Sequence, residues 1–341
     1  MGRTAFERSL SPRVVAVLRG RLRWDFDVFE LGAACAAAGD DAPGPLVVLG
    51  CVVCEDAGLR AAFGIPEATL AAFFAAVQGG YRSQPYHNAL HATDVLHSLN
   101  YIVVAGGLAP ALAPLEALAA LLAAAVHDLA HPGVTNAFLV AASAPLALRY
   151  NDAHPLENHH LCSAFALLAR PGCDVTAGMA PGEARALRRL VIGLVLATDM
   201  ADHGAFMAEA ARRTAPPAGL ALAARAPDRE RALRLALKCA DVGNAAKPVA
   251  AAVRWGVAIL TELFAQGDLE RARGMPISPV CDRRSASVAA AQLSFLEGVA
   301  RPLYSQLAVL APALAAPALA RTHRTGAFYA SQLPPAKPAA G

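Results

Sequence analysis

The histidines of this chain are concentrated in one region, which indicates a shared chemical role for some of them. Nine of the ten histidines lie between His87 and His203. The first cluster is the segment YHNALHATD, residues 86–94. In a helix, residues four apart share a face, so His87 and His91 would point the same way and Asp94 would join them. These side chains could bind a divalent metal, although an ordinary polar helix face would show the same spacing.

A second cluster, HDLAH at residues 127–131, ends an apolar segment that begins near Glu116. Because that segment is apolar on nearly all sides, it predicts a buried helix. Burying two histidines and Asp128 without partners would be energetically costly, and a bound metal ion would offset that cost. Pro132 ends the helix, so a capped helix end with structural histidines is the alternative.

A third candidate is Asp241, in the segment LKCADVGN at residues 237–244. It lies at the end of a predicted amphipathic helix over residues 230–240. The C-terminus of a helix disfavours an anion, so an aspartate there would be more stable beside a cation. A solvated aspartate in a turn is the alternative interpretation.

Together the three segments offer a mixed set of nitrogen and oxygen ligands. Such a set suits a transition metal with a second, harder divalent ion that shares a bridging carboxylate. Metal pairs of this kind lie about 3.5–4 Å apart and activate a water molecule for in-line attack on phosphorus. The ligand types therefore favour phosphoester chemistry.

The elements that must position these residues are predicted to be helices. Alanine and leucine are abundant, and both are strong helix formers. Residues 47–53 form the only short strand-like run, which could equally be a buried helix turn. We therefore expect an all-α fold, a compact multi-helix bundle.

No Pro/Gly-rich break is long enough to resemble an interdomain linker, and the important polar residues span positions 87 to 295. We expect one domain over residues 1–333, with a core at about 15–310. The Pro/Ala-rich tail, residues 334–341, is expected to be disordered. Only a short helical leader would precede the catalytic region.

Composition excludes several other classes of function. The chain has 341 residues, is 56% hydrophobic and has a net charge of +3, which allows a large core and predicts no nucleic-acid surface. We interpret the arginine-rich residues 225–234 as a solvated helix face. The most apolar stretch, residues 108–126, contains two prolines and a glutamate, so a buried helix fits better than a membrane segment.

The N-terminus has no apolar signal segment, and a cytoplasmic location is expected. The seven cysteines are scattered, and the single C-x-x-C of Cys51 and Cys54 has no second pair to complete a zinc site. We expect all seven to be reduced.

The sequence closely resembles the catalytic domain of the class I 3′,5′-cyclic nucleotide phosphodiesterases, and it is nearest to the cAMP-specific branch. The matching segments occur in family order with family-like spacing, and the resemblance covers roughly residues 15 to 310. It implies a compact all-α fold of the HD type. The segments are YHNALHATDV (86–95), HDLAHPGVTNAFL (127–139), LRYNDAHPLENHH (148–160), LVLATDMADH (194–203), LKCADVGN (237–244) and the stretch 264–304.

The resemblance implies a ligand set for two divalent metal ions, Zn²⁺ and Mg²⁺ (or Mn²⁺). The residues at the zinc-ligand positions are His91, His127, Asp128 and Asp241. Asp128 matches the carboxylate that bridges to the second metal.

Further roles follow from the same resemblance. His87 matches the general acid that protonates the departing 3′ oxygen, and Glu262 matches the carboxylate that orients it. Three residues match positions around the metals and their waters. They are His131, Glu157 and Thr198.

The resemblance also implies a nucleotide-base pocket. Gln292 matches the glutamine that hydrogen-bonds the purine edge, and Phe295 and Ile259 match the apolar residues that clamp the ring. Tyr86 and Asn244 match further nucleotide-binding positions. The expected substrate is a small-molecule cyclic nucleotide, with neither nucleic acid nor a membrane as partner, and a homodimer remains open.

The expected activity is metal-dependent hydrolysis of 3′,5′-cyclic nucleotides, with cAMP favoured, to nucleoside 5′-monophosphates. Dual cAMP/cGMP specificity, a non-catalytic nucleotide-binding homologue and another metal phosphohydrolase are the alternatives. The chain departs from the family at Ala130, often Asp, and at Ala245, often Pro. Ala252 and Gly256 occupy pocket positions that larger residues often fill.

Overall fold

The computed structural model describes residues 5–214, 222 and 225–333, and these residues form helices with no strand. The first nine α-helices, α1 to α9, are Ala5–Ser9, Pro12–Leu18, Val28–Ala36, Pro45–Asp56, Leu59–Ala62, Glu67–Gly80, Ala89–Ala105, Pro114–Val126 and Asn136–Ala141. The next nine, α10 to α18, are Pro145–Arg149, Pro155–Leu168, Pro181–Leu196, His203–Thr214, Ala226–Asp241, Val249–Ala272, Val288–Phe295, Arg301–Leu310 and Pro312–Ala330.

Short segments of other helical types connect some of these elements. They are the 3₁₀ turns Ala109–Ala111, Gly243–Ala246 and Pro279–Cys281 and the π-helical turn Leu296–Ala300. The all-α prediction is confirmed, and the strand-like run at residues 47–53 lies inside helix α4. The predicted disordered tail, residues 334–341, lies outside the described residues.

Local signals in the sequence explain where the site-bearing helices begin. Asn88 precedes helix α7, and its side-chain oxygen accepts hydrogen bonds from the backbone N–H groups of Leu90 and His91 at 2.9 and 3.1 Å. Helices α8 and α11 begin with Pro114 and Pro155, which need no hydrogen-bond partner in the first turn. Helix α7 therefore starts after His87 rather than including it.

Helix α8 is the buried helix that the apolar segment predicted. It packs against helices α7 and α12, and ten of its thirteen residues are buried. Helix α14 packs against α7 in turn, so the ends of α8 and α14 meet the first turns of α7. This packing brings three distant parts of the sequence to one place.

Among the described residues, one helix, α15, is long and apolar enough to cross a membrane by length and composition alone. Three buried polar side chains of this helix accept hydrogen bonds from other segments of the protein. Glu262 accepts from the backbone of residues 86 and 87, Gln266 accepts from Thr135 N–H, and Glu270 accepts from Ser278. These bonds connect α15 to the rest of the protein, as expected for a helix that packs within a folded domain.

The arginine-rich face at residues 225–234 is less solvated than predicted. Arg229 donates to buried Glu116 at 2.7 Å, which joins helix α14 to the first turn of α8. Arg234 pairs with Glu230 on its own helix. All seven cysteines are free, six of them buried, and burial raises the pKa of the Cys51 thiol to about 12.

Helix α7 also carries a buried ion pair that the sequence did not indicate. Lys247 Nζ lies 3.2 Å from Asp94 Oδ1 and donates to the carbonyl of Trp24 at 3.2 Å. The indole of Trp24 donates to the carbonyl of Ala246 at 2.7 Å. Asp94 therefore pairs with Lys247 and is not part of the metal-ligand cluster, so the prediction that it would join His87 and His91 was wrong.

Replacing Lys247 with methionine should destabilise the protein by about 3–5 kcal/mol, because Asp94 would remain buried without its cation. The measurement is the free energy of unfolding from urea denaturation. The double variant Lys247→Met, Asp94→Asn should recover most of that loss. Equal stability of the single variant and the parent protein would exclude this role for the pair.

Candidate active site

Four side chains from three separate elements meet at the centre of the fold. They are His91 on α7, His127 and Asp128 just after α8, and Asp241 at the end of α14. One nitrogen or oxygen of each lies within 4.8 Å of the others. His127 Nε2 lies 3.0 Å from Asp128 Oδ2, and His91 Nε2 lies 3.3 Å from Asp241 Oδ1. This arrangement can bind a metal ion.

The chemistry of this cluster fits a divalent cation. The His127 ring places Nδ1 2.9 Å from the carbonyl of Ala124, which directs Nε2 toward the cluster. That Nε2 is buried and makes no hydrogen bond with another described residue. A buried ring nitrogen beside two carboxylates, fixed by a backbone carbonyl on its far side, is typical of a metal-binding histidine.

The two aspartates are ionised in this environment. Burial alone would raise the pKa of Asp241, but the adjacent imidazoles of His127 and His91 lower it below its ordinary value. The same opposition holds at Asp128, where burial is outweighed by nearby His127 and His87, and the net pKa is well below normal. Metal ligation requires deprotonated carboxylates, so both residues are in the required state at neutral pH.

A second constellation joins His87 to Glu262. His87 Nδ1 lies 2.5 Å from Glu262 Oε1, while Glu262 Oε2 accepts from the backbone N–H groups of Tyr86 and His87 at 3.0 and 3.1 Å. Burial would raise the pKa of Glu262, but its bond to His87 lowers it overall. The carboxylate is therefore fixed from both sides and holds the imidazole in one orientation.

The four-residue spacings within the histidine clusters do not correspond to shared helix faces. His87 precedes α7, so it faces Glu262 while His91 faces the aspartates. After His127 the chain makes a turn in which Ala130 has a φ of 63°. His131 then stacks on His87 with ring centroids 3.9 Å apart instead of lying beside His127.

The remaining residues around this centre line a cavity of about 390 Å³. Glu157 accepts from Asn136 at 2.9 Å, and burial raises its pKa to about 7. The Thr198 hydroxyl donates to the carbonyl of Val195 at 2.8 Å. His160 Nε2 lies 3.7 Å from Asp128 Oδ1.

A second cavity, of about 300 Å³, opens beside the first and shares His87 and Asp241 with it. Its polar lining includes Asn244, whose amide donates to the Tyr86 hydroxyl at 2.6 Å. The other residues of its wall are mainly apolar or aromatic, apart from one glutamine. They include Trp255, Gly256, Ile259, Leu260, Gln292 and Phe295. An aromatic-walled cavity with amide groups is suited to a flat heterocycle.

Comparison with known proteins decides the family. Residues 86–319 match the family model described as 3′5′-cyclic nucleotide phosphodiesterase. The chain belongs to this family. It is 35% identical over 323 residues to a 3′,5′-cyclic-AMP phosphodiesterase, isoform F, of Drosophila melanogaster, covering 93% of this chain and 48% of that protein.

Mammalian relatives give the same result. The chain is 36% identical over 321 residues to 3′,5′-cyclic-AMP phosphodiesterase 4C of Mus musculus, covering 93% of this chain and 46% of the relative. For the Rattus norvegicus protein of the same name the identity is 36%, and 59% of the relative is covered. Across these and three further Drosophila melanogaster relatives, the chain spans between 26% and 59% of the length of the matched protein.

In this phosphodiesterase-family chain, the structure brings together the site residues that the sequence predicted. They line one of the two cavities, except His91 and His127, which lie behind the first cavity in the four-residue cluster. Sequence reasoning did not single out Asn136, Asp199 or Trp255, which also line the cavities. Nothing in their spacing distinguishes them from ordinary helix and loop residues.

Proposed function

We propose that this chain hydrolyses 3′,5′-cyclic nucleotides, with cAMP favoured, to nucleoside 5′-monophosphates and so terminates cyclic-nucleotide signals. The observation that carries the proposal is the adjacency of the two cavities. Two carboxylates of a cluster suited to divalent cations line the first cavity together with a carboxylate-bound histidine, and an aromatic pocket adjoins that cavity. The names of the relatives specify cyclic AMP.

The residues that would hold the metals are His91, His127, Asp128 and Asp241. We propose Zn²⁺ and Mg²⁺ (or Mn²⁺) as the two ions, with Asp128 shared between them, because nitrogen ligands suit the first and carboxylate oxygens the second. When bound, such ions neutralise phosphate charge and lower the pKa of a bound water.

His87 is proposed as the general acid that donates a proton to the departing 3′ oxygen. Its Nδ1 faces Glu262, so the opposite ring nitrogen is free to face the cavity that both residues line. Glu262 would stabilise the charged imidazolium and fix its direction. His131, Glu157 and Thr198 would position the water molecules and ligands around the metals.

The second cavity would bind the nucleoside. Phe295 and Ile259 would enclose the two faces of the purine, and the Gln292 amide would hydrogen-bond its edge. The bond between Asn244 and Tyr86 would hold the wall between base and phosphate. A dual cAMP/cGMP activity is the alternative, because an amide can present either its oxygen or its nitrogen.

The proposal is tested by steady-state hydrolysis of cAMP and cGMP, measured side by side with Mg²⁺ or Mn²⁺ added. We expect 5′-AMP as product and a higher kcat/KM for cAMP. Comparable values for both nucleotides would favour the dual activity. Absence of turnover of either by metal-loaded protein would favour a non-catalytic nucleotide-binding role.

We further propose that residues 1–333 act as one catalytic domain in the cytoplasm. The described helices support the first point, since site residues come from elements as distant in the sequence as α7 and α16. The seven unbridged cysteines are compatible with a reducing compartment.

A further inference from the structure

Asp199 is a buried carboxylate on the wall of the first cavity, in the turn that follows helix α12. Buried Lys238 fixes the backbone at the start of this turn, since its ammonium group donates to the carbonyl of Ala197 at 2.8 Å. One carboxylate oxygen of Asp199, Oδ1, accepts from the backbone N–H of Ala201 at 2.8 Å. The other, Oδ2, lies 2.7 Å from Nδ1 of His154. The direction of the carboxylate therefore depends on this histidine.

His154 lies immediately before helix α11, outside the lining of the first cavity. Its side chain is 34% exposed, and the carboxylates that face it are those of Asp199, Asp202 and Glu157. Its backbone has φ 46° and ψ 56°, a left-handed conformation that a residue other than glycine keeps only where its surroundings hold it. The bond to Asp199 is such a restraint, and it raises the pKa of the imidazole, so the pair favours the cationic ring.

A chain of hydrogen bonds continues from this pair to Glu157. Nδ2 of Asn136 donates to Glu157 Oε2 at 2.9 Å and lies 3.4 Å from Asp199 Oδ2. Oδ1 of the same amide accepts from the backbone N–H of Leu156 at 2.9 Å, which fixes the orientation of the amide. The two carboxylates therefore share one NH₂ group. If Asp199 lost its bond to the imidazole, it would compete more strongly for that group.

The charge of Glu157 is sensitive to such a change. Its pKa is raised to about 7, mainly by burial. The bond from Asn136 lowers this pKa, whereas the charges of Asp199 and Asp128 raise it. A cationic imidazole beside Asp199 compensates one of these two negative charges and so favours the ionised form of Glu157.

We propose that His154 is a positioning residue of the catalytic site, which acts through Asp199 and Asn136 on the carboxylate of Glu157. The inference rests on the proposed function, in which Glu157 positions water molecules and ligands around the metals. An ionised Glu157 only accepts hydrogen bonds, whereas a protonated one would also donate, so its charge decides how a neighbouring water molecule is oriented. A partly exposed histidine outside the cavity thus controls a group on the cavity wall.

The experiment compares His154→Asn with His154→Lys through the pH dependence of kcat/KM for cAMP. Asparagine tolerates the left-handed backbone and keeps a short donor, so this substitution removes mainly the charge. Its acidic limb should move up by about one pH unit, which lowers kcat/KM at about pH 6.5 five- to tenfold. At about pH 8.5, where Glu157 is ionised in both proteins, the values should agree within about twofold.

His154→Lys keeps a positive charge and should restore most of the rate lost by His154→Asn at the lower pH. A purely structural role would lower Tm in both variants and decrease the rate by the same factor at every pH. Asp199→Asn removes the link between His154 and Asn136, so adding His154→Asn to it should cause no further movement of the acidic limb. His159→Asn is the matched control, because His159 is partly exposed on the same helix and forms no ion pair with a carboxylate of the described residues.

A second readout does not depend on turnover. Glu157 can be titrated by NMR in protein that carries ¹³C-labelled glutamate and bound Mg²⁺, with Glu157→Gln to assign its carboxyl signal. The titration midpoint should move upward in His154→Asn and stay near the parent value in His154→Lys. If the parent protein hydrolyses neither nucleotide, the proposed function fails, and this titration still tests the effect of His154 on Glu157.

An acidic limb and a Glu157 titration that both stay unchanged in His154→Asn would overturn the positioning role. So would a third bound metal ion that the parent protein holds and this variant loses. His154, Glu157 and Asp199 each offer a ligand atom within 4.8 Å of the others, so elemental analysis and Zn²⁺ titration of both proteins test this outcome directly. In that case the ion, rather than the imidazolium, would hold Asp199.

Discussion

Replacing Asp241 with alanine should remove bound metal and activity together. Asp241 Oδ1 lies 3.3 Å from His91 Nε2 and 3.4 Å from His127 Nε2. Asp241 ends α14, whereas the other three candidate ligands come from α7 and the residues just after α8. Loss of this carboxylate leaves two imidazoles and Asp128 to hold the ions. Replacing a residue that only hydrogen-bonds to a metal ligand typically lowers metal affinity 10–100-fold. Because Asp241 is itself a candidate ligand, we expect metal affinity to decrease by about 100-fold or more.

The measurement combines metal content by elemental analysis, metal affinity by titration of the metal-free protein, and cAMP turnover. Asp268→Ala is the matched control. Asp268 is an exposed aspartate on α15 that pairs with Arg271 and Arg283 at the surface, where ion pairs contribute little to stability. We expect the control to keep its metal and its rate. Full metal content and turnover in Asp241→Ala would contradict the ligand assignment.

The predictable part of the fold depended on composition and local signals. Abundant alanine and leucine predicted helices, and the apolar segment from Glu116 predicted a buried helix that the structure places as α8 at the centre. The sequence predicted that Pro132 would end this helix, but α8 already ends at Val126, before the second histidine cluster. These features are visible in the sequence because they depend on residues within one or two helical turns of each other.

The site was only partly predictable from residue types. Spacing alone grouped His87, His91 and Asp94, yet these three side chains face three different partners. Asn88 starts α7 after His87, and Asp94 faces Lys247, which lies more than a hundred residues away in the sequence. Such partners are set by how α7, α8 and α14 pack, and no local pattern encodes that packing.

The resemblance to a family supplied what spacing could not. It selected His91 rather than His87 as a metal ligand, and it connected Glu262 to His87 across a separation of 175 residues. Neither follows from periodicity, because Glu262 would otherwise look like one polar residue on a long apolar helix. The sequence marked Gly256 only as a departure from the family, and its closeness to Tyr329 and Gln292 required coordinates.

Replacing His87 with alanine should decrease kcat for cAMP about 10²- to 10⁴-fold while leaving metal content unchanged, since this is the usual contribution of a general acid. His87 is not one of the four clustered ligands, and its ring is held by Glu262 instead. Loss of the ring leaves buried Glu262 with its two backbone donors, so the protein should remain folded. His323→Ala, an exposed histidine on α18, is the control.

The same variant separates proton donation from a general effect on the site. An aryl phosphodiester such as bis(p-nitrophenyl) phosphate has a leaving group that departs without a proton. Its hydrolysis should therefore decrease far less in His87→Ala than hydrolysis of cAMP, whose 3′ alkoxide needs protonation. Glu262→Gln should show the same selectivity with a smaller decrease, because the amide still contacts the ring but stabilises its charge less. If both substrates lost activity equally in His87→Ala, the residue would be acting on binding or metal geometry rather than as the acid.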